Sequence, residues 1–151
     1  MIRNLKGRQP IILILRLFIA QFWLLQFYFK LHDPKTGSIG LRNLGVWAHA
    51  TADDFAKTTP LPTWAVFAYV SVVPYLELLI GIAILFGIQT RRVLFFAMLL
   101  LISLCFGLML QGKHDVVALN TIQLFVLLLA FELSDAGPRA RLPPTIGPTS
   151  P

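Results

Sequence analysis

Glu77 and Arg16 are the side chains of this chain best placed to do chemistry, because each is an ionisable group inside an apolar run. Glu77 sits near the middle of the stretch Thr63 to Arg92, TWAVFAYVSVVPYLELLIGIAILFGIQTRR. A carboxyl group in hydrocarbon costs about 2.5–3.5 kcal/mol on insertion scales, so it should face protein or water rather than lipid. Pro74, Glu77 and Gly81 are spaced i, i+3, i+7, so a helix carries all three on one face. That face holds a kink point, a carboxylate and a place for close backbone approach. Arg16 lies about 6 Å from the centre of its own run, a gap that an arginine side chain can cross. A pair between Arg16 and Glu77 would lower the insertion penalty of both. Such a pair has two readings. It lines a polar pocket for a headgroup, a quinone or a transferred proton, or it is an ion pair that only fixes helix register. Arg16 reaching back to the membrane surface is a third arrangement.

Gln21, Tyr75, Gly81, Asn120 and Gln123 are the candidates to line such a pocket, with Gln26 and Tyr69 beside them. Amides in membrane helices also hydrogen-bond directly between helices, and aromatic rings there also simply pack. Ser103, Gly107 and Gln111, at i, i+4 and i+8, form a small and polar stripe suited to helix contact. His32, His49 and His114 fall in loops near Asp33, Asp53, Asp54 and Asp115, but no ligand-like spacing joins them. No nucleophile–base arrangement, phosphate-cradling glycine loop or haem-ligand pair is present, so no catalytic residue and no metal ligand is assigned. The single cysteine, Cys105, lies in an apolar run and reads as a packing residue. One cysteine excludes an intrachain disulfide and any CxxC motif. Redox chemistry would have to come from a partner or a bound small molecule.

Four apolar runs carry these residues, at about 11–29, 64–87, 93–110 and 116–133. Of the 151 residues 56% are hydrophobic, and the mean hydropathy is +0.73. A soluble domain is about 45–50% apolar, so the excess argues an integral membrane protein. The prediction is an all-α fold of four transmembrane helices in an up-down bundle over residues 11–135. The first run is too long for a usual signal-peptide core and lacks an A-x-A-like site, so it reads as a retained span. Residues 1–10 form a basic terminus, and 136–151 a Pro-rich tail without a core to join. In the 30–63 connection His32 to Gly37 is turn chemistry. Leu41 to Lys57 then shows a helical pattern with Leu41, Leu44, Ala48 and Phe55 on one side, read as a short surface helix.

The formal net charge of +6 does not point to nucleic acid, because the basic residues cluster at span ends. Arg3, Lys6, Arg8, Arg91, Arg92, Arg139 and Arg141 fall on one side; Lys30, Lys35, Arg42, Lys57 and Lys113 fall on the other. That bias puts both termini in the cytoplasm and the 30–63 connection outside.

The stretch P-Y-L-E-L-L-I-G-I-A-I-L-F-G-I-Q-T-R resembles the DoxX-like family of small four-helix membrane proteins. The resemblance rests on Glu77, Gly81, Gly87, Thr90 and Arg91, on Arg16 in the first span, and on Gly137-Pro138 after the fourth. It covers about residues 10–140. The family's Gly-x-x-Lys element at the end of the first span is here Gln26-Phe27-Tyr28-Phe29-Lys30, and the 30–63 connection is long. The resemblance implies a bacterial inner-membrane protein associated with redox systems, with no cofactor held by its own side chains. The implied role is an accessory or quinone-proximal subunit of an electron-transfer complex, beside other subunits of a redox or photosynthetic assembly. There Glu77 would exchange a proton with a quinol oxygen, and Arg16 would stabilise the anionic form. The alternatives are a purely structural or assembly subunit, with Phe18, Phe22, Phe95 and Phe96 against partner helices, and a small-molecule or lipid transporter. No inverted repeat supports transport.

Overall fold

The computed structural model describes residues 8–33 and 36–134, the side chains of Arg8 and Gln9 excepted. Residues 1–7 of the basic terminus and the tail 136–151 lie outside the described residues. Five helices make up the described chain: α1 Arg8–Leu31, α2 Leu41–Thr58, α3 Thr63–Phe86, α4 Thr90–Leu110 and α5 His114–Ser134. Four of them, α1, α3, α4 and α5, are long and apolar enough to cross a membrane. At 1.5 Å per residue their 21 to 24 residues reach about 32–36 Å, against a hydrocarbon core of about 30 Å.

The breaks between spans have local causes. Gly87 ends α3 in the left-handed conformation (φ +71°), and the Ile88 N–H returns to the Ala83 carbonyl at 2.9 Å. Gly112 ends α4 in the same way (φ +71°), with the Lys113 N–H on the Leu108 carbonyl at 3.0 Å. Both are glycine-terminated Schellman turns, and they fold α4 back on α3 and α5 back on α4. Pro62 precedes α3, and its carbonyl accepts the first helical N–H groups, from Ala65 and Val66.

The four spans form an up-down ring in which α1 touches α3 and α5, and α4 touches α3 and α5. The core holds Ile19, Ala20 and Trp23 of α1, Val73, Ile80 and Ile84 of α3, Leu94, Ala97 and Leu101 of α4, and Leu127 and Ala130 of α5. Small residues sit where backbones come closest. A β-carbon on Gly81 would stand 2.8 Å from Leu24 Cγ and 3.3 Å from the Leu24 backbone nitrogen, so Gly81 permits the α1–α3 approach. Phe18, Phe86, Phe95, Phe96, Phe106 and Phe125 point outward, as lipid-facing side chains do. Phe22, expected among them, is half-buried and packs against the core.

Helix α2 runs 18 residues and lies against α3 and the end of α1. Leu44, Ala48 and Ala52 are buried, Ala48 and Ala52 against Val66 and Val70. Leu41, expected on that face, is 70% exposed at the first helical position. Asn43 ties α2 to the end of α1, its Nδ2 donating to the carbonyls of Leu31 (2.8 Å) and Ser38 (3.0 Å).

Candidate functional site

Pro74, Glu77 and Gly81 share the buried face of α3 with Val70, Val73, Ile80 and Ile84. The helical period therefore turns Glu77 inward, away from lipid. Its partner is Lys30, whose Nζ contacts both carboxylate oxygens. The two side chains are only 11% and 3% exposed. The same ammonium lies 4.6 Å from the centroid of the Trp47 ring, a cation–π contact from α2. Three helices thus meet at one charge pair.

The expected Arg16–Glu77 pair does not form. Antiparallel packing sets Arg16 beside Ile84, Leu24 beside Gly81 and Lys30 beside Glu77. That register carries Arg16 to the end of α3, roughly 11 Å along the helix from Glu77. There Nε donates to the Ile84 carbonyl and NH2 to the Leu85 carbonyl, both at 3.2 Å. Arg16 satisfies the Leu85 carbonyl, one that a helix terminus leaves open, and adds a second donor to the Ile84 carbonyl, which also accepts the Gly87 N–H; its charge complements the C-terminal dipole. Gly87 leaves the space: a β-carbon there would collide with the Arg16 guanidinium.

Glu77 and Lys30 form part of the wall of a partly open cavity of about 320 Å³ lined by residues of all five helices. Its lining is mostly apolar, with Phe22, Trp23, Trp47, Phe55 and Leu104 among it. The polar members are Gln26, Thr51, Tyr69, Ser103, Gln111, Lys113 and Asn120. Tyr69 and Ser103 are joined at 2.6 Å, and the Ser103 hydroxyl donates to the Leu100 carbonyl at 2.8 Å. With its one proton committed there, Ser103 accepts from Tyr69.

The expected lining residues divide. Asn120 lines this cavity. Gln123 lines a separate space of about 10 Å³ beside Trp23, and its Oε1 is buried with no hydrogen-bond partner. Gln21 is exposed, because the buried face of α1 is set by Ile19, Ala20 and Trp23. Tyr75 is 51% exposed, two residues and so about 200° around the helix from Glu77. Gly81 meets Leu24 rather than the cavity. The Ser103–Gly107–Gln111 stripe, expected at a helix contact, makes such contacts at two of its positions and also lines the cavity. Ser103 meets Tyr69 of α3, and a β-carbon on Gly107 would lie 3.1 Å from Phe55 of α2.

In the sequence Lys30 counts only among the basic residues at span ends, and its pairing with Glu77 is not read there. One signal was available: Lys30 closes the Gln26–Lys30 segment set above against a Gly-x-x-Lys element. The histidines do not gather. His32 stacks near Tyr28 at 6.2 Å and His49 on Phe67 at 4.4 Å between ring centroids. Among the described residues no group of three or more His, Cys, Asp or Glu could hold a metal ion.

The comparisons agree with this architecture. No curated protein and no solved structure matches the chain. A family model described as DoxX matches residues 11–111, which takes in α2, α3 and α4, most of α1, and both Lys30 and Glu77. The match covers well over half of the chain, and this four-span membrane protein belongs to the DoxX family.

Proposed function

We propose that the chain is an accessory, quinone-proximal subunit of a membrane electron-transfer complex, and that the cavity at Lys30–Glu77 receives the quinone head. One observation carries this reading: a mostly apolar cavity of about 320 Å³ reaches a buried ion pair inside a bundle of membrane spans. Ligand pockets begin at about 300 Å³ and combine apolar walls with a few placed polar groups. A quinone ring would lie among Phe22, Trp23, Trp47 and Phe55, with an oxygen toward the ammonium of Lys30. Lys30 thereby takes the part first assigned to Arg16, stabilising negative charge on that oxygen, and Glu77 is the group that exchanges a proton. The DoxX membership supports the reading through the family's association with membrane redox systems. The same reading takes the bacterial inner membrane from the family resemblance and, from the distribution of Lys and Arg, puts both termini in the cytoplasm.

A structural subunit is the second reading, favoured by the engagement of both Glu77 oxygens by Lys30. A buried pair of this kind fixes register without any ligand. Fluorescence separates the two. Trp23 and Trp47 line the cavity, and Trp64, the third tryptophan, is 76% exposed. A short-chain benzoquinone should quench the emission saturably; the cavity-filling Thr51→Phe should remove most of that quenching, and Trp47→Phe the part that Trp23 does not supply. Quenching that rises linearly and ignores both substitutions would favour the structural subunit.

A further inference from the structure

The charges on the cavity wall do not cancel. Its ionisable side chains are Lys30, Glu77 and Lys113, beside Tyr69. Lys30 and Glu77 neutralise each other. Lys113 has no carboxylate within ion-pair distance among the described residues, where the pairs are Lys30–Glu77 and Lys57–Asp54. Two lysines less one glutamate leave one positive charge unmatched.

Backbone geometry holds Lys113 at this place. Its N–H closes the turn after α4 on the Leu108 carbonyl at 3.0 Å, and its own carbonyl accepts the Val117 N–H of α5 at 3.2 Å. The residue therefore stands between the C-terminal end of α4, which favours a cation, and the N-terminal end of α5, which opposes one. The two ends offset, so neither supplies the missing counter-charge. Lys113 is exposed while Glu77 is buried, which makes the Lys113 end the outer end of the cavity. Gln111 and Asn120 add amide donors to the same wall, and Leu101 and Leu104 continue it as apolar surface. Next to a low-dielectric wall an unmatched cation attracts an anion more strongly than it does in water.

We infer that the occupant of this cavity is an anionic amphiphile, its acidic group at the outer end by Lys113 and its ring or hydrocarbon body running inward along the cavity wall toward Lys30 and Glu77. The inference rests on the ligand-site reading above and adds the charge of the ligand to it. An acidic quinone and an acidic lipid carry the same chemistry. Lys113 lies outside the segment that the family model matches, so the charge is argued from this chain's own residues.

The test uses the full chain in dodecyl maltoside and two ring probes that differ in charge. One is 2-hydroxy-1,4-naphthoquinone, ionised at neutral pH; the other is its neutral methyl ether. Both are read by quenching of Trp23 and Trp47. The acid should half-saturate at a concentration about tenfold or more below the ether, and Lys113→Gln should remove that preference. Lys113→Arg should keep it, which separates charge from fold. Brominated decanoate and its methyl ester repeat the comparison for a hydrocarbon body. A preference shown only by decanoate supports an acidic lipid as the source, and one shown only by the naphthoquinone supports an acidic quinone. Equal binding of acid and ether, or a preference untouched by Lys113→Gln, overturns the charge inference and leaves the ligand site standing. No quenching by any probe overturns both.

Discussion

Lys30 and Glu77 are each tolerable in this bundle because of the other. Removing one partner leaves a buried, unmatched charge, a change that costs about 3–5 kcal/mol in buried pairs. Lys30→Met and Glu77→Leu should therefore each lower unfolding stability in mixed micelles by about that amount. The double variant should lose much less than the sum of the two. Additive losses would mean that the pair does not exist in the folded protein. Arg16 makes a different prediction. It caps α3 with two hydrogen bonds from one guanidinium, so Arg16→Ala should cost about 1–3 kcal/mol. Arg16→Lys should recover only part, because an ammonium lacks the fork that reaches two carbonyls. A full recovery by lysine would show that charge near the helix end is all that matters.

Between elements, the contact of α1 with α3 decides which side chains meet. Gly81 lets these helices approach at Leu24, and the approach fixes the register that brings Lys30 to Glu77. Gly81→Ala should cost about 1–3 kcal/mol through overpacking against Leu24. Leu24→Ala in the same chain should restore part of the loss, since the Leu24 backbone nitrogen also stands close. No restoration would place the strain elsewhere. This level is where the sequence was least legible. Apolar run lengths were enough to set the four spans, and the hydrophobic pattern of 41–57 to set α2. The i, i+3, i+7 spacing was enough to turn Pro74, Glu77 and Gly81 inward together. The partner of Glu77 was not readable, because sliding α1 along α3 leaves its hydropathy unchanged while replacing one cation by another. Register comes from the fit of Leu24 over Gly81, which only packing reveals. The polar stripe on α4 was legible as a helix contact, through Ser103 on Tyr69 and Gly107 on Phe55, but not as a cavity wall, because only packing shows that the Leu94–Ala97–Leu101 side joins the core. The stripe is left facing the cavity.

At the scale of the whole molecule, the described residues form a bundle with an apolar outside and, inside, a mostly apolar cavity with the Lys30–Glu77 pair in its wall. Helix α2 lines that cavity with Trp47, Thr51 and Phe55, and Phe55 rests near Gly107 of α4. Topology is open to direct test: a cysteine placed at Asp54 should react with a membrane-impermeant maleimide from outside intact cells, and one at Arg92 only after lysis. The opposite pattern would invert the protein in the membrane. The central claim, that the Lys30–Glu77 cavity holds a quinone within a redox assembly, is tested most directly by gentle purification. The tagged chain should be isolated in mild detergent, its partners identified by mass spectrometry, and its quinone extracted and counted. Redox subunits and about one quinone per chain should co-purify, with the quinone lost in both Glu77→Gln and Thr51→Phe while the partners remain. Redox partners without quinone, unchanged in both variants, would leave a structural subunit. A lone protein without quinone would contradict the account altogether.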